Sequence, residues 1–200
     1  MPLVSIKPIL AAARDDGFAV AAFNPVDFNS MRAMVDASIE LDAPVIVQTS
    51  AKTIRQYGHA QLAGWMRELT RDAPTPISLH LDHGKDLAMI RTCIDQGWTS
   101  VMIDASDRPF DENLAITRQV NDWANAAGVG VEAEIGEIGG VEEDLVVDEG
   151  SVHVTDPAEA ESFCKQLELG AFAAAVGTAH GHYRGQPRVR FDLIEEINRR

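Results

Sequence analysis

The chain has 200 residues, 46% of them hydrophobic, so it is long enough to bury a sizeable core within one domain. Seventeen Lys and Arg against 31 Asp and Glu give a formal net charge of −14, which argues against binding to nucleic acids or anionic membrane surfaces. The N-terminal region lacks an apolar run long enough for a signal peptide or a membrane span. We therefore expect a cytoplasmic protein whose Cys93 and Cys164 are buried free thiols.

Six short runs of β-branched or apolar residues predict six strands. In chain order they are Phe18–Phe23, Val45–Gln48, Ile77–Leu81, Ser100–Ile103, Val129–Glu134 and Ala171–Val176. Segments with apolar residues at helical spacing separate them, and Asp156 followed by Pro157 is a clear helix start. Regular alternation of strand and helix predicts βαβ units and a parallel sheet covered by helices.

Polar residues recur where these strands end, and this pattern distinguishes between two folds that contain a parallel sheet. They are Asn24, Ser50, Asp82 with His83, Asp104 with Ser106, Glu132 with Glu134, and His180. A doubly wound sheet also satisfies the alternation, but contributions from every strand end are typical of the mouth of a barrel. We predict a (β/α)8 TIM barrel of about eight units and ~250 residues, of which residues 1–200 form one domain with about the first six βα units.

The segment His80-Leu81-Asp82-His83 ends a strand, and the period of two places His80 and Asp82 on one side with His83 at the rim. A rim imidazole can bind a metal while the neighbouring carboxylate stays free for proton transfer. A structural histidine with a capping aspartate is the alternative interpretation. A second imidazole, His180, follows the last strand between Gly177 and Gly181, where free amides can hold an anion.

Five ordered motifs make the sequence resemble class II fructose-bisphosphate and tagatose-bisphosphate aldolases. They are His80-Leu81-Asp82-His83-Gly84, Ser100-Val101-Met102-Ile103-Asp104-Ala105-Ser106, Val131-Glu132-Ala133-Glu134, Gly139-Gly140-Val141-Glu142 and Gly177-Thr178-Ala179-His180-Gly181. The resemblance is collinear from about Leu3 to Asn198. It implies a zinc-dependent aldolase that reversibly cleaves a ketose bisphosphate to dihydroxyacetone phosphate and an aldehyde phosphate through a metal-stabilised enediolate.

The resemblance also implies a role for each site residue. His83 and His180 would bind Zn²⁺, with Asp104 and Glu134 able to hold it in an alternative, inward site. Asp82 would handle the hydroxyl proton at the bond being cleaved, and Glu142 would move protons at the carbon of the enediolate. Gly181 and Arg184 match a loop for phosphate and a monovalent cation (Na⁺ or K⁺), and Asn24 and Ser50 match substrate-side positions.

The same resemblance implies a third zinc histidine from the strand after Arg200, and a homodimer or homotetramer. His153 or His182 could replace that histidine only if a loop rearranged, so we expect a polypeptide that is truncated relative to the active enzyme. Two other functions stay open: a partial barrel that binds metal or sugar phosphate without turnover, and a metal-dependent sugar isomerase or epimerase. Fructose- and tagatose-type substrates also stay open.

Two further expectations concern catalysis. A Schiff-base aldolase needs a lysine buried at a strand end, and Lys7, Lys52, Lys85 and Lys165 all lie outside the apolar strands, although Lys52 and Lys85 follow strands. The segment between Ile135 and Thr155 contains four glycines and a run of acids, which predicts a long functional loop. We expect its closure to bring Glu142 to the substrate, whereas Glu143 and Asp144 remain solvated.

Overall fold

The computed structural model of the chain describes residues 3–142, 145–147, 153–182, 186 and 188–200. Helices and strands alternate along it. The elements are α1 (Ile6–Asp16), β1 (Ala21–Phe23), α2 (Phe28–Glu40), β2 (Val45–Ser50), α3 (Ala51–Tyr57), α4 (His59–Leu69), β3 (Ile77–Gly84), α5 (Leu87–Gln96), β4 (Ser100–Ile103), α6 (Phe110–Ala126), β5 (Gly130–Ile135), β6 (Gly139–Glu142), β7 (Leu145–Val147), α7 (Pro157–Cys164), β8 (Ala171–Ala174), β9 (Ala179–His180) and α8 (Phe191–Arg199).

Six parallel strands form the main sheet in the order β1-β2-β3-β4-β5-β8. Each strand therefore lies beside the preceding strand of the sheet, with at least one helix in every connection. A doubly wound sheet would reverse direction at some point along this order, whereas the wall of a (β/α) barrel does not. The sheet is curled into a partial barrel, which confirms the predicted fold class and its six βα units.

Alternation along the central strands separates an apolar face from a polar one. Leu79 and Leu81 of β3 are fully buried in the core against the helices, and Val131 and Ala133 of β5 belong to the same core. Each such large aliphatic side chain contributes ~1.5–3 kcal/mol to folding. The residues between them point to the other face, so the sequence of β3 that builds the core also delivers His80 to the barrel interior.

The observed strand bounds differ from the predicted ones in informative ways. β3 continues to Gly84, so Asp82 and His83 belong to the strand rather than following it. β1 is shorter than predicted, because only Ala21–Phe23 pair with β2. Phe18, which the apolar run included, lies outside the sheet and is 43% exposed.

The segment from Ile135 to Thr155 is not a featureless loop. β6 and β7 form an antiparallel hairpin within it, and β6 also pairs in parallel with β9, which gives a second, three-stranded sheet. Residues 143–144 and 148–152 lie outside the described residues. The sequence signal failed because strands of two to four residues are too short to show a period of two.

The predicted helix start after Thr155 is confirmed. The side chain of Asp156 accepts hydrogen bonds from the backbone N–H groups of Ala158 and Glu159, and Pro157 opens α7. Such a cap satisfies helix N–H groups that have no partner within the helix, and contributes ~1 kcal/mol. Within the described part of the chain, the helices are all too short or too polar to cross a bilayer.

Candidate metal and acid–base site

Asp82 and His83 are consecutive residues that reach the same end of the sheet because β3 is irregular there. Leu81 pairs with Val101 and Gly84 with Ile103, so β3 advances three residues where β4 advances two. His83 takes a left-handed backbone conformation with φ 45°. A regular strand would send two consecutive side chains to opposite faces, whereas a bulge re-aims one of them.

Gly84 completes this irregularity by allowing close packing. A Cβ atom at Gly84 would lie 2.6 Å from the carbonyl oxygen of Met102 and 2.8 Å from a methyl carbon of Leu81. Any other residue would force β3 and β4 apart. The glycine therefore fixes the backbone immediately after His83.

His83 is held by the carboxylate of Asp104, which follows β4. The Nδ1 atom of His83 lies 3.0 Å from Oδ2 of Asp104, while Oδ1 of Asp104 accepts hydrogen bonds from the backbone N–H and the hydroxyl of Ser106 at 3.2 and 2.7 Å. The ammonium of Lys85 is 3.7 Å from the same carboxylate. These contacts orient the imidazole, as carboxylates commonly do for metal-binding histidines.

Three of the four residues predicted to bind metal form one cluster. One ligand atom from each of His83, Asp104 and Glu134 can be chosen so that all lie within 4.8 Å of one another. Oε2 of Glu134 is buried and has no hydrogen-bond partner among the described residues, so a polar group is available inside the cluster. One imidazole and two carboxylates are a donor set that divalent cations such as Zn²⁺ accept, so these residues fit a metal ion.

Burial and mutual contacts shift the pKa values of the residues in the cluster. Burial favours the neutral imidazole of His83, but the hydrogen bond to Asp104 and the charge of Asp82 outweigh burial and raise its pKa to about 9. Burial likewise opposes ionisation of Asp104, yet the hydrogen bonds from His83 and Ser106 hold its pKa below the usual range. Burial, assisted by the charge of Asp104, raises the pKa of Glu134 to about 8. A bound cation would favour the deprotonated ligands, so binding would release protons.

His180 lies beside this cluster on the small sheet. Its ring centroid is 5.1 Å from that of His83, with the two rings at 77°. β9 is placed by Gly140 of β6, where a Cβ atom would stand 2.3 Å from the carbonyl oxygen of His180. The strand that carries Glu142 is therefore packed directly against the backbone of His180.

Asp82 has a different environment from the cluster. It is 7% exposed, and its Oδ2 accepts a hydrogen bond of 2.8 Å from the side-chain amide of Asn24, which follows β1. The hydrogen bond from Asn24 therefore fixes the orientation of the Asp82 carboxylate, which lies beside His83. A carboxylate held in this way is suited to accept and return a proton.

The remaining predicted residues differ in position and in how far the structure describes them. Ser50 ends β2 and caps α3, accepting a hydrogen bond of 3.2 Å from the backbone N–H of Thr53. Gly181 follows His180 with φ 71° and is exposed. Arg184 lies outside the described residues, and for Glu142 only the backbone, at the end of β6, is described. His153 and His182 are both exposed.

Sequence reasoning gave no role to a second pair in the same interior. His80 of β3 is 2% exposed, and its Nε2 lies 3.5 Å from Oε2 of Glu132 on β5. Its Nδ1 is 2.8 Å from the hydroxyl of Ser100 on β4. The available signal was the period of two, which puts His80 on the same face as Asp82 and Glu132 on the same face as Glu134.

A parallel (β/α) wall that carries a histidine–carboxylate cluster and an adjacent acid at its carboxyl edge has the arrangement of a barrel enzyme, in which active-site groups lie at the carboxyl ends of the strands. The family follows from comparison with known proteins: residues 4–200 match the model of the class-II fructose-bisphosphate aldolases, and the chain belongs to that family. It is an aldolase, a carbon–carbon lyase of a generally metal-dependent family.

Individual relatives agree with this assignment. The chain is 40% identical over 200 residues to the fructose-bisphosphate aldolase of Staphylococcus aureus, covering 98% of this chain and 69% of that protein. It is 38% identical to the fructose-bisphosphate aldolase of Helicobacter pylori, covering 98% and 65%. The crystal structure of the YdjI aldolase from Escherichia coli K12 superimposes with a TM-score of 0.85 at 27% identity, covering 98% and 68%.

Proposed function

We propose that this protein is a zinc-dependent aldolase that reversibly cleaves fructose 1,6- or tagatose 1,6-bisphosphate to dihydroxyacetone phosphate and an aldehyde phosphate. The observation that carries the proposal is the cluster of His83, Asp104 and Glu134 next to Asp82, at the carboxyl edge of an aldolase-family barrel wall. The matched relatives are named fructose-bisphosphate aldolases, which supports the substrate class. Residues 1–200 act as part of one barrel domain in a cytoplasmic homodimer or homotetramer.

His83 and His180 would hold the zinc ion, and Asp104 and Glu134 offer it a second position deeper in the barrel. A bound zinc ion supplies Lewis-acid polarisation of the ketose carbonyl. The N/O donor set and the buried, unpartnered oxygen of Glu134 support this assignment. The glycine-flanked backbone around Gly181, together with Arg184, would bind a substrate phosphate with Na⁺ or K⁺, since exposed amides and a guanidinium both suit an oxyanion.

Two carboxylates would divide the proton work. Asp82, oriented by Asn24, removes the proton from the hydroxyl of the carbon that becomes the aldehyde. As that hydroxyl becomes a carbonyl, the carbon–carbon bond breaks and its electron pair remains with the three-carbon fragment. Glu142 then delivers a proton to that carbon, which releases dihydroxyacetone phosphate. Ser50 lies at the substrate-side end of β2, beside Asp82 in the register of the two strands.

A lysine imine is not needed for this chemistry. Lys7, Lys85 and Lys165 have side-chain exposures of 31%, 43% and 66%, and Lys52 is exposed. A lysine that attacks a carbonyl at neutral pH needs a desolvating pocket or a neighbouring cation. Lys7, Lys85 and Lys165 each form an ion pair with a carboxylate instead.

Product analysis tests the proposal. The full-length gene product, purified with Zn²⁺, should convert fructose 1,6- or tagatose 1,6-bisphosphate to triose phosphates, measured by a coupled assay and by NMR. Removal of metal by a chelator should abolish turnover, and Zn²⁺ should restore it. Borohydride added with substrate should leave the mass of the protein unchanged.

Each other outcome identifies a different function. A new hexose isomer without triose would mean an isomerase or epimerase. Stoichiometric zinc binding without any turnover would mean a binding protein. A borohydride-trapped adduct would mean Schiff-base chemistry, and each of these three results contradicts the proposed mechanism.

A further inference from the structure

The pair formed by His80 and Glu132 spans the interior of the barrel wall. His80 belongs to β3 and Glu132 to β5, which are not neighbours in the sheet because β4 lies between them. Their side chains nevertheless approach to 3.5 Å, between Nε2 and Oε2. The contact therefore joins two strands that share no backbone hydrogen bonds.

His80 is fixed at both its side chain and its backbone. The hydroxyl of Ser100 lies 2.8 Å from Nδ1, and the hydroxyl of Thr49 donates a hydrogen bond of 2.9 Å to the carbonyl of His80. Thr49 in turn accepts a hydrogen bond of 2.9 Å from the indole N–H of Trp98, which is itself buried. The imidazole is thus held in one orientation, with Nε2 directed toward Glu132.

Each member of the pair lies directly below a residue of the proposed site. Asp82 comes two residues after His80 on β3, and Glu134 comes two residues after Glu132 on β5. Residues two apart on a strand share a face and are separated by ~6.6 Å along it. The pair therefore lies one layer deeper in the barrel interior than the carboxylates of Asp82 and Glu134.

Stability alone gives no reason for a polar pair at this level. The interior of a (β/α) barrel is usually filled by branched apolar side chains. A buried polar pair contributes on balance no more to stability than well-packed apolar residues of the same volume. Nε2 of His80 is also buried without a hydrogen bond of good geometry among the described residues. A buried arrangement that adds no stability is typical of functional sites, where the placement of side chains matters more than the stability of the fold.

We propose that His80 and Glu132 are positioning residues for the aldol cleavage, and that their contact sets the separation between Asp82 and Glu134. The inference rests on the proposed function, since it assigns the pair a role in that reaction. Neither side chain needs to touch the substrate. Both act by fixing strands β3 and β5 relative to each other one step below the reacting groups.

Variants of His80 in the full-length gene product test this role. His80→Leu keeps the side-chain volume but removes both ring nitrogens, so the protein should fold while kcat falls ~10–100-fold, the scale of a catalytic group displaced by about 1 Å. His80→Gln can return an amide nitrogen to the place of Nε2 and should recover part of the lost turnover. KM should stay within about threefold of the wild-type value because uniform binding is unchanged.

Glu132→Gln provides a second, nearly isosteric variant that keeps hydrogen bonding but removes the ionisable carboxyl group. Its effect should not add to that of His80→Leu in the double variant, because the two residues act as one unit. Zinc per chain should remain at the wild-type value in every variant. A crystal structure of His80→Leu should show Asp82 displaced relative to Glu134.

Asn121→Leu is the matched control, since it replaces a buried polar side chain by leucine on α6, in the helix layer away from the barrel interior. It should leave kcat unchanged. Wild-type kcat in His80→Leu, or a fall in kcat matched by lost zinc, would overturn the positioning role. If the wild-type protein itself releases no triose phosphate, the proposed function fails instead.

Discussion

His83 combines a strained backbone conformation with the metal-binding role proposed above. A non-glycine residue with a left-handed backbone is uncommon, although histidine, asparagine and aspartate adopt it more readily than others. At His83 the backbone has φ 45°, and Gly84 and Asp104 hold the residue from both sides. The strain is maintained because it directs the imidazole into the cluster beside Asp82.

Replacing His83 with asparagine separates the imidazole from its backbone conformation, because asparagine tolerates φ near 45°. His83→Asn should fold normally but bind less than one tenth of the wild-type zinc, and His180→Asn should also lose metal. Metal content by mass spectrometry after gel filtration measures this. His59→Asn controls for loss of an imidazole elsewhere, and stoichiometric zinc in His83→Asn would refute the assignment.

Site residues were predictable where they follow strands of ordinary periodicity. Asp104 after β4 and Glu134 on β5 could be placed at one edge from strand order alone. The hydrogen bond between Asn24 and Asp82 could not, because it joins residues 58 positions apart through the curvature of the sheet. The contact of His80 with Glu132 was missed for the same reason, since no local pattern encodes a distance across the barrel.

At the scale of elements, the hairpin of β6 and β7 links the small sheet to the site. β6 pairs with β9, so the strand ending at Glu142 is fixed to the strand that carries His180. The backbone position of Glu142 is therefore linked to that of His180 through the pairing of β6 with β9. Short strands of this kind are also the least predictable from sequence, which is why the periodicity indicated only a loop.

Removing the carboxylate of Glu142 tests whether the hairpin takes part in catalysis. Glu142→Ala should lower kcat by ~10²-fold or more, the scale of a lost acid or base, with zinc content unchanged. Exchange of solvent protons into dihydroxyacetone phosphate, followed by NMR, should slow in parallel. Glu143→Ala, which removes the adjacent acid, should keep wild-type rates. Wild-type turnover in Glu142→Ala alongside inactive Asp82→Ala would show that Glu142 is only a surface residue.

Gly140 tests the contact between the two strands of the small sheet. In Gly140→Ala the new methyl would stand 2.3 Å from the carbonyl oxygen of His180, so β9 must shift. Zinc affinity, measured by competition with a chelator, should fall ~10–100-fold, the usual scale for a disturbed metal environment. Gly128→Ala shares the left-handed strain at φ 72° but meets no atom within 4 Å. Equal zinc affinity in the two variants would contradict the proposed link.

For the whole molecule, the monotonic strand order explains how an acidic chain can handle anionic substrates. All six strand ends of the main sheet face one edge, so His83 and His180 lie together there among several carboxylates, and a bound cation would offset part of the local share of the net charge of −14. The order itself was predictable, because right-handed βαβ connections with short loops leave few alternatives. The curvature was also predicted, because polar residues at every strand end favour a barrel over a doubly wound sheet.

Thiol reactivity reports on the integrity of this core. Cys93 is completely buried on α5, and burial raises the pKa of its thiol to about 12, so the reactive thiolate is suppressed at pH 7–9. Cys93 should resist alkylation in the native protein and react fully in guanidinium chloride, as peptide mapping by mass spectrometry would show. Raising the pH from 7 to 9 should not expose it. Rapid native labelling at pH 8 would mean that the helix layer opens locally.

The extra residue in β3 limits how this site could be grafted onto another protein scaffold. Copying the side chains of Asp82, His83 and Asp104 onto a regular strand would send one of the first two outward into the helix layer. The graft must carry the irregular backbone and Gly84 as well. The site therefore depends on the local backbone conformation of β3 as much as on the identities of the side chains.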